Sequence, residues 1–127
     1  MQGAGMIIDH IGITVSNFSG SKAFYTRALA PLGIEVVKDG EGWALFGRDG
    51  KGEFWIGEYG DAPKPIHIAF AAADRAQVQA FYDAAIGAGG RDNGAPGLRG
   101  HYHPDYFGAF VFDPDGHNIE AVCHDPG

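Results

Sequence analysis

Apolar and polar residues alternate at the start of the chain. In "MIIDHIGITV", Ile7, Ile11, Ile13 and Val15 share one side and His10, Gly12 and Thr14 the other, which is the period of a half-buried β-strand. The same alternation returns in "IHIAFAA", where Ile66, Ile68 and Phe70 stand opposite His67, Ala69 and Ala71. It returns again in "NIEAVCH", where Ile119, Ala121 and Cys123 stand opposite Asn118, Glu120 and Val122. "GIEVV", "WALFG", "EFWIGEY" and "GAFVFD" read as further short strands, with a fainter one around residues 89–93. Elsewhere the period lengthens to that of a helix. Val78, Phe81, Tyr82, Ala85 and Ile86 fall on one face of "DRAQVQAFYDAAIGAGG", Asp74 with Gln77 makes a capping-box-like start, and Gly87 to Gly90 end it. "SGSKAFYTRAL" predicts an earlier helix, with Ser19 or Ser21 as cap and Pro31-Leu32-Gly33 beyond its end.

The elements repeat. "DHIGITV" and "IHIAFAA" each carry His-Ile, and Ala-Phe-Tyr occurs at 23–25 and again at 80–82. His10 to Phe24 and His67 to Phe81 are both 14 residues, so the two landmarks share an offset of 57, nearly half the chain. That is the signature of an internal duplication. Each half reads strand, helix, then three strands. The expected fold is α+β, two tandem βαβββ modules. It is a single domain over 6–127, with module one at about 7–60 and module two at about 65–124.

Strand parity then selects the chemistry. The apolar rows should pack on the helices. The opposite rows carry His10, His67 and Glu120, one strong metal ligand each, among small neighbours. An ionised carboxylate facing inward is costly unless something positive meets it. A curved sheet can point all three into one cavity, and two imidazoles with one carboxylate and open remaining positions suit a divalent first-row metal. Taken singly, each has a plainer reading as a satisfied strand residue, and Glu120 as a surface partner of Arg99.

Composition narrows the field. The 127 residues carry a net charge of −7 and show no basic stripe, which argues against nucleic acid. No apolar run approaches the roughly 20 residues of a membrane span, and no basic-then-apolar leader opens the chain. The "MQGAGM" start is given no structural role. Cys123 is the one cysteine, so no intrachain disulfide forms; its parity makes it a core filler, and it fits a cytoplasmic location. The 21 glycines gather in "GEGWALFGRDGKGEFWIGEYG" and "IGAGGRDNGAPGLRG", predicting tight turns and one long loop.

With "DHIGITV", the two "AFY" helices, "HIAF" and above all "FVFDPDGHNIEAV", nearly the whole chain resembles the vicinal oxygen chelate superfamily: glyoxalase I, extradiol dioxygenases, and fosfomycin and bleomycin resistance proteins. The resemblance implies that the paired βαβββ modules form a cupped mixed sheet around a central cavity, with a metal held by residues of each module's first and fourth strands. It maps His10 and His67 onto the first-strand positions and Glu120 onto the fourth-strand acid of module two. In module one the acid is missing: Phe54 or Trp55 stands there, with Glu53 and Glu58 displaced. This departs from glyoxalase I and is compatible with the two-histidine, one-glutamate set of extradiol dioxygenases.

The resemblance implies a metal-dependent glyoxalase-like or dioxygenase-like enzyme. Its cofactor would be a divalent ion (Fe, Mn, Zn or Ni), its substrate a small molecule chelated through adjacent oxygens, and its state a homodimer. The rival expectation is a metal-free, ligand-sequestering protein of the bleomycin-resistance type. Around the ligands, Trp55 is a candidate wall. The loop "GLRGHYHPDYFG" offers Arg99 and His101 for substrate binding, and His103 and Tyr106 for proton transfer. His117 and His124 read as surface residues.

Overall fold

The structure is a computed structural model and describes residues 8–60 and 64–126. Its first module runs β1 (Ile11–Thr14), α1 (Phe18–Leu29), a 3-10 turn (Ala30–Leu32), β2 (Glu35–Gly40), β3 (Trp43–Arg48) and β4 (Lys51–Gly57). The second runs β5 (His67–Ala71), α2 (Arg75–Gly87), β6 (Arg91–Leu98), β7 (Phe107–Phe112) and β8 (Asn118–Cys123). Both sheets have one topology, β1-β4-β3-β2 and β5-β8-β7-β6. In each, the first strand pairs parallel with the last and the other pairs are antiparallel. The duplicated βαβββ architecture expected from the sequence is therefore present.

One core serves both modules. Phe24, Tyr25 and Leu29 of α1 and Val78, Phe81 and Ala85 of α2 pack with Ile13, Phe54 and Ile56 of one sheet. Val111, Ile119, Ala121 and Cys123 of the other sheet join the same cluster, as their parity demands. The Phe54 and Phe70 rings meet edge-on at 5.2 Å, joining β4 to β5. The opposite rows are thereby turned away from the helices.

Several local expectations need correction. The cap of α1 is Asn17, not Ser19 or Ser21: its side chain accepts from the Gly20 N–H at 3.2 Å. Asp74 does cap α2, accepting from the Gln77 N–H at 2.8 Å, while Gln77 accepts in return from the Ala73 N–H at 2.7 Å. The first strand is shorter than its pattern, and Ile7 lies outside the described residues. The glycine-rich stretch expected as loop is largely β6, the outer strand of its sheet, with register shifts at Asp92/Gly94 and Gly94/Gly97. An outer strand tolerates Pro96 and glycines because only one of its edges must pair. His117, expected at the surface, is 1% exposed.

The β3–β4 hairpin depends on Gly47. A Cβ there would lie 1.8 Å from the Lys51 carbonyl oxygen, a backbone atom that cannot step aside without opening the turn. Gly47→Ala is expected to cost about 2–3 kcal/mol and to lower Tm by roughly 10 °C. Thermal melting followed by circular dichroism checks this, and a Tm within about 2 °C of wild type would contradict it.

Candidate metal centre

β5 and β8 run side by side with Ala69 opposite Glu120 and His67 opposite Asn118. This register sets the His67 imidazole beside the Glu120 carboxylate, with Nε2 2.9 Å from Oε1. Glu120 is 0% exposed, and no lysine or arginine lies within ion-pair distance of it among the described residues. Its second oxygen accepts a hydrogen bond from the Tyr106 hydroxyl. Burial first, then the Glu120 bond and charge, raise the Tyr106 phenol above its ordinary value of 10, so it keeps its proton and acts as donor. Gly108 makes room for this pair: a Cβ there would stand 3.1 Å from Glu120 Oε2 and 3.2 Å from the Tyr106 ring.

His10 precedes β1. Its Nδ1 donates to Asp9 at 2.9 Å, and its Nε2 has no hydrogen-bond partner among the described residues. That bond, and then the nearby Lys51 charge, hold the Asp9 carboxyl below its usual value. Asp9 was not singled out from the sequence, although an acid directly before a candidate ligand was a readable signal. His10 and His67 line one cavity of about 390 Å³, together with Asp9, Glu53, Ala69 and Phe70. This is within the range of small-molecule sites. His10 makes no hydrogen bond to His67 or Glu120. Among the described residues, the set of three whose possible ligand atoms all lie within 4.8 Å of one another is instead Asp113, Asp115 and His117.

That second set is a structural knot. Asp113 accepts from the Asp115 and His117 N–H groups at 2.9 and 2.8 Å, and from the Tyr25 hydroxyl at 2.5 Å. Asp115 accepts from the Ser16 N–H and hydroxyl. His117 Nδ1 accepts from the Ile66 N–H at 3.1 Å, and its Nε2 donates to the Thr14 carbonyl at 3.2 Å. The cluster's carboxylates and imidazole are thus committed to joining β1, α1 and β5.

His67 and Glu120, hydrogen-bonded to each other, are also spaced like two neighbouring donors on a divalent ion. Cis donors on such an ion, with bonds near 2.1 Å, stand about 3 Å apart, and the His67–Glu120 separation of 2.9 Å matches. His10 lines the cavity with His67, whereas Glu120 lies behind His67 and does not line it.

The other candidates are spread around this pair. Trp55 faces Gly12 in the register, as Glu120 faces Ala69, so Trp55 and not Phe54 occupies the position equivalent to Glu120. It is 37% exposed and packs on Trp43 at 5.9 Å. Glu58 accepts from the Phe18 N–H at 2.9 Å and so serves the start of α1. His101 is exposed, its ring tilted at 46° against that of Tyr102, 4.1 Å away. His103 is hydrogen-bonded to the exposed His124 and to the Asp105 N–H, 5.5 Å from the Tyr106 ring. Arg99 lies over the Phe110 ring at 5.3 Å.

The family model described as Glyoxalase/Bleomycin resistance protein/Dioxygenase superfamily matches residues 7–121. Among solved structures, the chain is similar to a glyoxalase/bleomycin resistance protein from Albidiferax ferrireducens T118, with 28% identity and a TM-score of 0.82 over 94% of this chain and 100% of that one. It shares its fold with a glyoxalase/bleomycin resistance protein/dioxygenase family enzyme from Burkholderia phytofirmans PsJN (14% identity, TM-score 0.72, 92% and 98% covered). It also shares it with a glyoxalase-related enzyme from Fulvimarina pelagi (16%, 0.71, 94% and 88%). No curated protein matches the chain significantly. No helix among the described residues is long and apolar enough to cross a membrane.

Proposed function

Because the chain belongs to the glyoxalase/bleomycin resistance protein/dioxygenase superfamily, we propose that it is a metal-dependent enzyme acting on a small molecule that presents two adjacent oxygens. His10, His67 and Glu120 hold the divalent ion. The observation that carries this reading is Glu120, a fully buried carboxylate facing an imidazole, without an ammonium or guanidinium partner among the described residues. Such a group is tolerated when a cation meets it.

The bound ion supplies Lewis acidity, stabilising negative charge that grows on the chelated oxygens. The chain's own groups do the rest. Tyr106 orients Glu120 and holds a proton at its phenol oxygen. Asp9 orients the His10 ring through its hydrogen bond to Nδ1. To His103, hydrogen-bonded to the exposed His124 and with its ring 5.5 Å from that of Tyr106, this reading assigns the exchange of protons with solvent. Trp55 fills the module-one ligand position with a flat apolar face, so three protein ligands remain and open coordination positions are left for substrate. A homodimer belongs to this reading: β1 and β5, which follow His10 and begin at His67, are each the outer strand of their sheet, and superfamily members often dimerise. So does a cytoplasmic location with a reduced, buried Cys123.

One observation favours the metal-free binder instead. Both Glu120 oxygens already accept hydrogen bonds, from His67 and Tyr106, so the site closes without a cation. Metal analysis of the purified protein, with His67→Ala as control, separates the two. The enzyme reading expects about one equivalent of divalent metal per chain in the wild type and a large loss in the variant; equal, negligible metal in both makes the protein a binder. Assays on hemithioacetals and on catechols then distinguish isomerase from dioxygenase chemistry.

A further inference from the structure

Arg99 is bound in a way that its loop alone does not require. Its Nη1 donates to the Gly97 carbonyl at 2.8 Å and its Nη2 to the Ala95 carbonyl at 2.9 Å. The guanidinium lies on the Phe110 ring. Two glycines shape the seat: a Cβ on Gly94 would stand 3.0 Å from Nη2, and one on Gly97 3.1 Å from Nη1. The Arg99 N–H donates to the Tyr106 carbonyl at 2.7 Å, which closes the neck of the 99–106 loop and sets Arg99 beside the tyrosine that bonds Glu120.

The face matters as much as the seat. Phe110 stands opposite Glu120 in the β7–β8 register, and its ring is 6.2 Å from the His67 ring. Guanidinium, phenyl and imidazole therefore follow one another across the side of the sheet that carries Glu120. Among the described residues no carboxylate lies within ion-pair distance of Arg99. A guanidinium has five N–H donors, and two hydrogen bonds leave three unused. In a chain of net charge −7, a fixed, unpaired cation beside the candidate centre is a local reversal of field, and it is already ordered before any ligand arrives.

We propose that Arg99 is a specificity-determining residue, and that the substrate carries a carboxylate in addition to its two chelating oxygens. This rests on the metal-chelating function proposed above. The chelating end meets His67 and Glu120, the body lies along Phe110, and the carboxylate meets the free edge of the guanidinium, where planar donors match planar acceptors.

Catechol and 3,4-dihydroxybenzoate test it, because they share the adjacent oxygens and differ in the carboxylate. Their dissociation constants are measured by calorimetry on Mn2+-loaded protein at neutral pH. In the wild type the carboxylate probe should bind at least tenfold tighter. Arg99→Gln should bring the two probes within about threefold of each other, the larger loss falling on the carboxylate probe, and Arg99→Lys should keep part of the preference. Absence of a preference in the wild type overturns the proposal whether or not the variants fold. So does a preference that survives in Arg99→Gln. If catechol binds and the carboxylate adds nothing, this inference alone fails. If neither probe binds the loaded protein, the chelating function fails and takes this inference with it.

Discussion

Glu120→Gln is expected to weaken divalent-metal binding by at least 100-fold while leaving the fold nearly as stable as wild type. The substitution keeps the shape of the side chain and removes its charge. Both hydrogen-bond partners can adapt: the Tyr106 hydroxyl donates to the amide oxygen, and the His67 imidazole changes tautomer to accept from the amide nitrogen. The buried site therefore stays satisfied, and Tm should move by no more than about 3 °C. The cation loses its anionic ligand and the charge that offset its own desolvation, a larger loss than the 10- to 100-fold typical for a residue one shell out. Calorimetric titration with Mn2+ reads the first effect and thermal melting the second. Metal affinity unchanged in Glu120→Gln would take Glu120 out of the centre. A large loss of Tm would mean that its charge serves the fold.

Asp113→Ala is expected to cost about 3–5 kcal/mol of stability, the largest effect on the fold from one side chain outside the apolar core. Asp113 is 1% exposed and accepts three hydrogen bonds, from Tyr25 of α1 and from two N–H groups of its own turn. Alanine leaves three donors without an acceptor, two of them buried, and each buried orphan costs on the order of 1–3 kcal/mol before the site relaxes. Urea denaturation measures the change, and a loss below about 1 kcal/mol would contradict the account. The same contact has an alkaline signature. Burial, then the Asp113 charge and hydrogen bond, hold the Tyr25 phenol well above its usual 10. The folded state thus keeps a proton that the unfolded chain releases. The associated stability is whole below about pH 10 and declines as pH rises beyond it. Tyr25→Phe should flatten that alkaline decline.

The two modules were legible because duplication repeats a phase as well as a residue. His10 and His67, with Phe24 and Phe81, fixed the offset, and alternation fixed which face each strand turns to the helices. The His67–Glu120 contact followed from that parity. What could not be read depends on register and on distant partners. A glycine-rich stretch with Pro96 looks like loop because composition does not tell an irregular outer strand from a turn; β7 supplies the pairing that makes it β6. The choice between Phe54 and Trp55 turned on strand pairing, and the shift at Phe46/Gly47 hides that from any count of hairpin lengths. His117 looked exposed because it sits in a turn; its partners, Thr14 and Ile66, are 103 and 51 residues away. Parity put His10 on the same row as His67, and both line one cavity, but His10 makes no contact with Glu120 that parity alone could have fixed.

X-ray absorption at the zinc edge, on protein loaded with one equivalent of Zn2+, tests the convergence of His10, His67 and Glu120 most directly. Two imidazoles and a carboxylate should surround the ion in the wild type, falling to one imidazole in His10→Ala and in His67→Ala. A single imidazole in the wild type, unaffected by either substitution, would place the ion on the Asp113–Asp115–His117 turn and contradict the account.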